Sequence, residues 1–317
     1  MNKLNHITPV LLLLMLAMVL VSCEKEIEID LPDAQTKLVV EGNIEQGRPP
    51  FVILTKTSPY FEPTDINSLQ TLFVSDALVT VSNGTNTVQL TEICTNQLPD
   101  SLLPAVAELI GVSLSNLQTF GFCLYTTLDS TIFGEVGKTY SLYISSGDEV
   151  LTSTTEIPPL VFMNSYWYKD QPGYSNFGYI WFELSDPPQL GNAYRLYTKR
   201  LGKDSRFIPI FGSAFDDQFI NGLTFEGNFG RGKEPGSQAP DDLAETSYYY
   251  QQGDTVIIKF CTIDYYHFKF WESFEAAAMS SGNPFSAPTT VTTNIEGGGL
   301  GVWGGYGVTY DTLILVD

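Results

Sequence analysis

From residue 37 onward, the sequence consists largely of short runs rich in β-branched and aromatic residues, and turn-forming residues separate one run from the next. Residues 37–44 and 51–57 are two such runs, with a turn containing glycine and proline between them. Residues 77–82 and 87–93 flank Asn83-Gly84, a dipeptide that tolerates positive φ and predicts a hairpin. Strand-length runs at this spacing predict a mainly β fold.

The sequence suggests a boundary at Pro158-Pro159, because paired prolines cannot continue a β-ladder and they stiffen a linker. Residues 37–157 predict an immunoglobulin-like or transthyretin-like sandwich. Residues 160–317 hold most of the aromatic residues, and they predict a second β-sandwich or a half-open barrel with one packed helix. Two domains of ordinary size are therefore expected.

Two stretches depart from the β pattern. We interpret residues 95–120 as an insertion into the first domain, and residues 99–110 within it carry apolar side chains at helical spacing. In the second domain, residues 265–281 have a mainly aromatic stripe at helical spacing and predict a helix. Asp264 is placed to cap the first turn of that helix.

Three cysteines lie in the predicted β domains. Cys94 and Cys123 belong to the same predicted domain and flank most of the insertion. In an oxidising compartment they could form a disulfide, which the loop-entropy estimate values at about 3–4 kcal/mol, but the sequence leaves the pairing open. Cys261 lies in an apolar run and is expected to be a buried free thiol.

The N-terminus has the features of a lipoprotein signal peptide. Lys3 precedes an apolar run at residues 10–21, which is too short to cross about 30 Å of hydrocarbon. The run ends in Leu20-Val21-Ser22-Cys23, which resembles a bacterial lipobox. We therefore interpret residues 1–22 as a signal peptide and Cys23 as the lipid-bearing residue, whose acyl chains hold the protein in a bilayer. The alternative is an ordinary secretory signal in which Cys23 has no such role.

Residues 23–36 form an acidic tether in this interpretation. The sequence Glu24-Lys25-Glu26-Ile27-Glu28-Ile29-Asp30 looks like the export signal of Bacteroidota lipoproteins that face the cell exterior. The alternative is a plain solvated tether. We therefore expect the protein to be lipid-anchored in the outer membrane and to face the cell exterior.

The charge balance limits the possible partners. The formal net charge is −20, which excludes the basic surface that nucleic-acid binding requires. The same charge opposes adhesion to anionic headgroups, so a lipid would have to provide the anchoring. Only 16% of the residues are charged and 13% are aromatic, which is typical of a folded protein and not of a disordered one.

We find no recognisable catalytic or metal-binding motif in the sequence. His267 is the sole histidine after the predicted signal peptide, so a multi-histidine metal site is excluded and packing on its helix is the expected role. Residues 227–234 resemble a phosphate loop but have Glu234 where Ser or Thr is needed. Residues 299–304 match a dinucleotide fingerprint by letter, but no helix could follow them, and we expect a bend or a close backbone approach before the last strand. The sequence thus predicts no metal, no cofactor and no enzymatic activity.

Two acidic pairs keep an enzymatic alternative open. Asp216-Asp217 and Asp241-Asp242 could in principle serve a glycan hydrolase. Adjacent residues on a strand face opposite sides, however, and neither pair has the spacing of a calcium-binding loop. Solvated loop charge is the expected role.

Core packing is expected to account for most of the aromatic residues, but a few are candidates for binding. Tyr248, Tyr249 and Tyr250 follow one another in a polar stretch that is hard to reconcile with a core position. Together with Trp303 and Tyr306, they are our candidates for contact with a ligand or a partner, because flat exposed rings can stack on sugars or cover a protein surface.

Several stretches resemble a known family. Asn294-Ile295-Glu296-Gly297-Gly298-Gly299-Leu300-Gly301-Val302-Trp303-Gly304-Gly305-Tyr306 is similar to the closing motif of the Bacteroidota outer-membrane lipoprotein family catalogued as domain-of-unknown-function family 4249. Lys37-Leu38-Val39-Val40-Glu41-Gly42 and Pro59-Tyr60-Phe61 look like the opening of that family. The resemblance implies a surface or outer-membrane lipoprotein, often encoded beside a TonB-dependent transporter, and it implies no known activity.

The leading hypothesis is a non-enzymatic accessory lipoprotein of a TonB-dependent nutrient transporter, which captures a ligand or caps the transporter. The expected partners are that transporter, a lipid bilayer through the acylated Cys23, and a glycan or another small nutrient. Two alternatives stay open: a surface glycan hydrolase that uses paired carboxylates, and a structural or adhesive envelope lipoprotein.

Overall fold

The computed structural model describes residues 35–58, 71–119, 121–234, 237–280 and 289–316. The predicted signal peptide, Cys23 and most of the predicted tether lie outside these ranges, as do Pro59-Tyr60-Phe61 of the family resemblance and the last position of the predicted helix. Among the helices of the described ranges, none is both long and apolar enough to span a membrane.

Sixteen strands and four α-helices form within these ranges. The strands are β1 (Leu38–Glu45), β2 (Phe51–Lys56), β3 (Leu78–Ser82), β4 (Thr87–Gln89), β5 (Thr91–Cys94), β6 (Cys123–Thr126), β7 (Thr139–Ser146), β8 (Glu149–Glu156), β9 (Met163–Gln171), β10 (Tyr174–Ser185), β11 (Ala193–Arg200), β12 (Ile208–Asp216), β13 (Thr224–Phe229), β14 (Tyr250–Gln251), β15 (Thr255–Ile263) and β16 (Leu300–Ile314). The helices are α1 (Leu103–Ile110), α2 (Leu114–Thr119), α3 (Pro240–Leu243) and α4 (Tyr265–Ser280).

Eight strands form one large sheet in the order β12-β11-β15-β16-β1-β2-β6-β5. The pairing of β1 with β16 is parallel, and the other pairings in this sheet are antiparallel. Trp303 of β16 lies opposite Gly42 of β1 in this register. The glycine-rich stretch at residues 299–304, predicted to make a bend or a close backbone approach before the last strand, lies mostly within that strand. It does approach another backbone closely, since a Cβ on Gly301 would lie 1.9 Å from the carbonyl oxygen of Val40.

A second sheet, in the order β4-β3-β7-β8, forms the first sandwich with the large sheet. The core between them includes Val40 from β1, Val79 from β3, Ile144 from β7 and the fully buried Trp303. The hairpin predicted at Asn83-Gly84 is confirmed, since β3 and β4 pair across it.

A third sheet forms the second sandwich with the other half of the large sheet. In it, β10 pairs with β9, β13 and β14. The core includes Phe182 from β10, Phe229 from β13, Tyr194 from β11 and Phe260 from β15. This core explains the aromatic content of the C-terminal half, because both sheets direct rings into the space between them.

Helices cover the opposite face of the large sheet. Phe260 of β15 faces the second sandwich, whereas its neighbour Cys261 faces α4, as the alternation along a strand requires. Helix α4 begins after Asp264, whose carboxylate accepts a hydrogen bond from the backbone N–H of His267 at 2.9 Å. The predicted helix and its cap are thus confirmed. Helices α1 and α2 lie in the predicted insertion and pack on Phe51 and Leu124 of the sheet.

The predicted mainly β fold is confirmed, and the sequence did not anticipate how its parts are joined. Thr36–Asp317 forms one compact unit, and the large sheet contains strands from both sides of Pro158-Pro159. The two prolines therefore do not separate the strands of this sheet. The reason is the pairing of β1 with β16, which joins distant parts of the chain and leaves no signal in the local pattern.

Cys94 and Cys123 form a disulfide, so the pairing that the sequence left open is present in the structure. The two residues lie directly opposite each other on the paired strands β5 and β6. The bond closes the segment that carries α1 and α2. Cys261 is free and buried, and burial raises the pKa of its thiol to about 12, so it stays protonated at neutral pH.

Replacing both cysteines of this disulfide, as Cys94→Ser with Cys123→Ser, is expected to lower the free energy of unfolding by about 3–4 kcal/mol, because the unfolded chain regains the entropy of an open loop. Urea denaturation followed by fluorescence measures the change. A reductant should destabilise the natural protein and leave the double variant unaffected. Equal stability of the two proteins under oxidising conditions would contradict the prediction.

Candidate ligand-binding cleft

A cleft of about 820 Å³ lies beside β12 and β13. Strand β12 is the edge of the large sheet, and β13 is at an edge of the third sheet, so the cleft opens where the second sandwich ends. The loop between the two strands and the first half of α4 complete its walls. Its volume falls within the range of sites that bind small molecules.

Nine aromatic residues line the cleft: Tyr179, Phe182, Phe211, Phe215, Phe219, Phe225, Phe229, Tyr248 and Phe268. Two of them are unusually open to solvent, since Phe219 is 86% exposed and Phe211 is 65% exposed. Leaving rings of this size in water forgoes about 1.5–3 kcal/mol of burial free energy for each ring. A ligand in the cleft would recover part of this free energy.

A bulge in β12 turns Phe211 outward. Arg195 pairs with Ala214, and Tyr197 pairs with Pro209. Residues 210–213 of β12 therefore lie opposite a single residue of β11, Leu196. Gly212 has φ +64, which favours glycine at this position. Because the bulged residues leave the ladder, Phe211 is free to face the cleft.

The three consecutive tyrosines have different environments. Tyr248 lines the cleft with half of its surface exposed, and Nζ of Lys233 lies 4.1 Å from the centre of its ring. Tyr249 packs against Tyr179, with ring centres 5.2 Å apart, and is half-buried beside the cleft. Tyr250 is fully buried, and its hydroxyl lies 3.0 Å from Oγ1 of Thr198.

Trp303 and Tyr306, the other two candidates, lie in the protein interior. Trp303 has no exposed surface, and its Nε1 donates a hydrogen bond to the carbonyl of Tyr140 at 3.0 Å. Tyr306 is 4% exposed and accepts a hydrogen bond from Arg195 at 3.1 Å. Of the five residues proposed from the sequence, the structure therefore brings only Tyr248 into the wall of the cleft. It gives Tyr250, Trp303 and Tyr306 core positions.

The sequence interpretation missed Phe211 and Phe219. Both residues lie in or shortly after β12 (Ile208–Asp216), a strand that the sequence analysis did not identify. The apolar residues Ile208, Ile210 and Phe211 were an available signal, since they concentrate in a segment otherwise rich in charge and glycine. Exposure of Phe219 could not be predicted, because it depends on packing between distant strands.

A polar cluster lies beneath α4, apart from the cleft. The guanidinium carbon of Arg195 lies 3.2 Å from the centre of the Trp271 ring, and its Nε donates to Oγ of Ser213 at 3.1 Å. Ser213 in turn donates to the carboxylate of Glu275 on α4. These two hydrogen bonds connect the buried Arg195 to the carboxylate of Glu275 through Ser213, and they hold α4 against the sheet.

His267 is buried in the same cluster. Its Nδ1 lies 3.3 Å from the carbonyl oxygen of Gly305, which can only accept, so this nitrogen carries a hydrogen. The ring packs on the backbone of Gly304, where a Cβ would lie 2.2 Å from Cε1 of the histidine. Burial lowers the pKa of His267 to about 4, with Arg195 adding to the effect and Asp264 opposing it. His267 is therefore neutral at physiological pH and has the packing role that the sequence suggested.

The acidic pairs have identifiable structural partners. Asp217 accepts hydrogen bonds from the backbone N–H groups of Gly191 and Asn192 at 2.8 Å. Asp241 pairs with Arg200 at 2.8 Å. Burial opposes ionisation of Asp241, but the hydrogen bond and charge of Arg200, with help from Arg231, hold its pKa below the ordinary value. These carboxylates fix loops to the strands around the cleft.

Within the described residues, one cluster has three potential metal ligands, namely Glu92, Cys94 and Cys123. The disulfide uses both sulfur atoms of this cluster, and a metal prefers free thiolates. In its oxidised form the cluster therefore does not fit a metal ion.

The fold and the cleft define a class: a mainly β protein in which two sandwiches share one sheet and a cleft lined by aromatic rings opens at the edge of the second. The sequence matches the family described as Domain of unknown function (DUF4249) over residues 24–312. The chain therefore belongs to this family, as the motifs at both ends of the chain suggested. No curated protein matches the sequence.

The variant His267→Asn is expected to be less sensitive to acid than the natural protein. The unfolded chain binds a proton on His267 near pH 6.5, whereas the folded protein binds it only near pH 4. The stability linked to this group is therefore complete above pH 6.5 and is lost as the pH falls to 4, a change on the order of 3 kcal/mol.

Asparagine keeps a donor for the Gly305 carbonyl but does not titrate in this range. Urea denaturation at about pH 7 and about pH 4.5 measures the effect, since carboxylates common to both proteins cancel in the comparison. The natural protein should lose more stability between these two pH values than the variant. Equal losses would show that His267 titrates normally.

Proposed function

We propose that this protein is a lipid-anchored, non-enzymatic ligand-capture protein that serves as an accessory of a TonB-dependent nutrient transporter at the outer membrane. The observation that carries the capture role is the aromatic cleft beside β12 and β13, with Phe211 and Phe219 exposed to solvent. The lipobox-like sequence ending at Cys23 supports the anchor. The choice of partner rests on the family resemblance.

The side chains that line the cleft favour ligand binding over catalysis. Its wall consists mainly of carbon atoms, and rings can hold an apolar ligand without reacting with it. Hydrolysis of a glycan would need two carboxylates free to reach the substrate. Asp217 and Asp241 are engaged by backbone N–H groups and by Arg200, respectively, so their hydrogen bonds support a structural role. Asp216 and Glu272 line the cleft, but Glu272 pairs with Lys269 at 2.7 Å, so these two do not form a free pair of carboxylates.

Removal of an exposed ring from the cleft should weaken capture. The test ligand is N-phenylnaphthylamine, a neutral dye whose fluorescence rises in an apolar site. Phe219→Ala is expected to raise the Kd of the dye about ten-fold, because the lost ring contact is worth roughly 1.5 kcal/mol. Fluorescence titration of the purified protein without its lipid measures the Kd.

Phe162→Ala is the matched control. Phe162 is 63% exposed and does not line the cleft, so its removal deletes another largely exposed ring elsewhere on the surface. This variant should bind the dye as the natural protein does. If Phe162→Ala and Phe219→Ala change the Kd equally, or if neither changes it, the dye does not bind in the cleft and the capture proposal fails.

The anchor and the partner can be tested in one experiment. The full chain with a C-terminal tag is expected to fractionate with the outer membrane and to co-purify in mild detergent with a TonB-dependent transporter. Cys23→Ala should abolish labelling by radioactive palmitate and release the protein from the membrane. A tagged protein that labels normally but brings no outer-membrane transporter would contradict the accessory role and leave the anchor intact.

A further inference from the structure

Arg231 lines the cleft from a loop that follows β13, and it is 2% exposed. The loop is fixed in place because the backbone N–H of Arg231 donates to the carbonyl of Tyr248 at 2.8 Å. The guanidinium Nε donates to the carbonyl of Ser247 at 3.0 Å, and Nη2 donates to the carbonyl of Asp241 at 3.0 Å. Nη2 also lies 2.6 Å from the carboxylate of Asp242.

The remaining nitrogen of this guanidinium, Nη1, is buried and has no hydrogen-bond partner among the described residues. A carboxylate oxygen of Asp241 lies 3.9 Å from Nη1, beyond hydrogen-bond distance. A buried N–H group without a partner is unfavourable, and native proteins normally supply an acceptor. Nη1 is closed to solvent in this conformation, but Arg231 is part of the cleft wall, so a shift of its side chain on binding would let a ligand supply this acceptor.

The surrounding charges determine which acceptor fits. The carboxylate of Asp242 already compensates the positive charge of Arg231, and the carboxylate of Asp241 also lies close to this guanidinium. Asp216 and Glu272 add two more carboxylates to the wall of the cleft. Arg200 pairs with Asp241, Lys269 pairs with Glu272, and Lys233 lies beside Tyr248. Positive and negative groups therefore offset one another around the cleft, and no excess of positive charge favours an anionic ligand over a neutral carbonyl or hydroxyl oxygen.

We propose that the cleft binds a neutral, largely apolar ring molecule whose carbonyl or hydroxyl oxygen accepts a hydrogen bond from Nη1 of Arg231. The aromatic wall holds the rings of the ligand, and Arg231 fixes its orientation. This inference rests on the capture role proposed above and specifies the chemical class of the ligand.

A matched pair of dyes tests the hydrogen bond. Prodan is a neutral naphthalene with a propionyl group, and its propyl analogue lacks only the carbonyl oxygen. The ratio of their Kd values is compared between the natural protein and Arg231→Lys, which keeps the positive charge beside Asp242 but loses the planar fork of donors. We expect the variant to lose about ten-fold of the preference for prodan and to bind the propyl analogue unchanged.

Lys233→Gln is the control variant. Lys233 is a second cation beside the cleft, but it contacts the Tyr248 ring and is not the proposed donor to the oxygen of the ligand. It should keep the ratio of the natural protein. If Arg231→Lys keeps that ratio as well, the hydrogen bond is excluded. Anilinonaphthalene sulfonate, an anionic dye of similar size, should bind the natural protein at least ten-fold more weakly than prodan, and tighter binding would overturn the preference for neutral ligands.

A measurement on the natural protein alone covers the case in which Arg231→Lys does not fold. The infrared carbonyl stretch of bound prodan should lie at lower wavenumber than in cyclohexane, and an unshifted band would overturn the inference. Phe219→Ala separates the two proposals. If Phe219→Ala raises the Kd of both neutral dyes while Arg231→Lys does not change their ratio, only the proposed ligand class is wrong. If Phe219→Ala raises neither Kd, the capture role itself fails.

Discussion

The parallel pairing of β1 with β16 is the interaction on which most of the fold depends. It places Trp303 against Gly42, where a Cβ on the glycine would lie 2.6 Å from the indole, and the indole fills the core of the first sandwich. Three residues further along, Tyr306 faces α4 on the opposite side of the sheet. A shift of the register of β16 by one residue would exchange these two faces, so the pairing fixes both sandwiches and the helix together.

The cleft lies where the shared sheet has no further strand to pair with among the described residues. An edge strand with exposed apolar side chains normally invites association with another chain. Here the bulge in β12 interrupts the edge, and the exposed rings of Phe211 and Phe219 surround a cavity and do not form a flat ladder. Asp216 and Glu272 at the cleft, together with the strongly negative chain, oppose contact between copies. The same features suit a site that admits a small molecule.

Local signals in the sequence predicted the parts of the fold that depend on local chemistry. The hairpin at Asn83-Gly84, the strand Leu38–Glu45 and the helix capped by Asp264 all follow from turn residues, β-branched runs and capping. The glycines of β16 lower the strand propensity of that segment, and sheet pairing overrides propensity. The site was harder to predict, because a ring such as Tyr248 in the cleft and a ring such as Tyr250 in the core have the same sequence context. Burial by distant strands decides between them.

The position of β1 in the middle of the large sheet has a consequence for biogenesis. Val39 pairs with Leu300, so during synthesis β1 has no β16 to pair with until almost the whole chain has been made. During that interval β1 and β2 can form a hairpin with one unpaired edge, and long-range pairing of this kind is slow. An exposed edge on an incomplete sheet favours aggregation. Successful folding therefore requires that the incomplete chain be kept apart from its neighbours until residues 300–314 have been synthesised and can pair with β1.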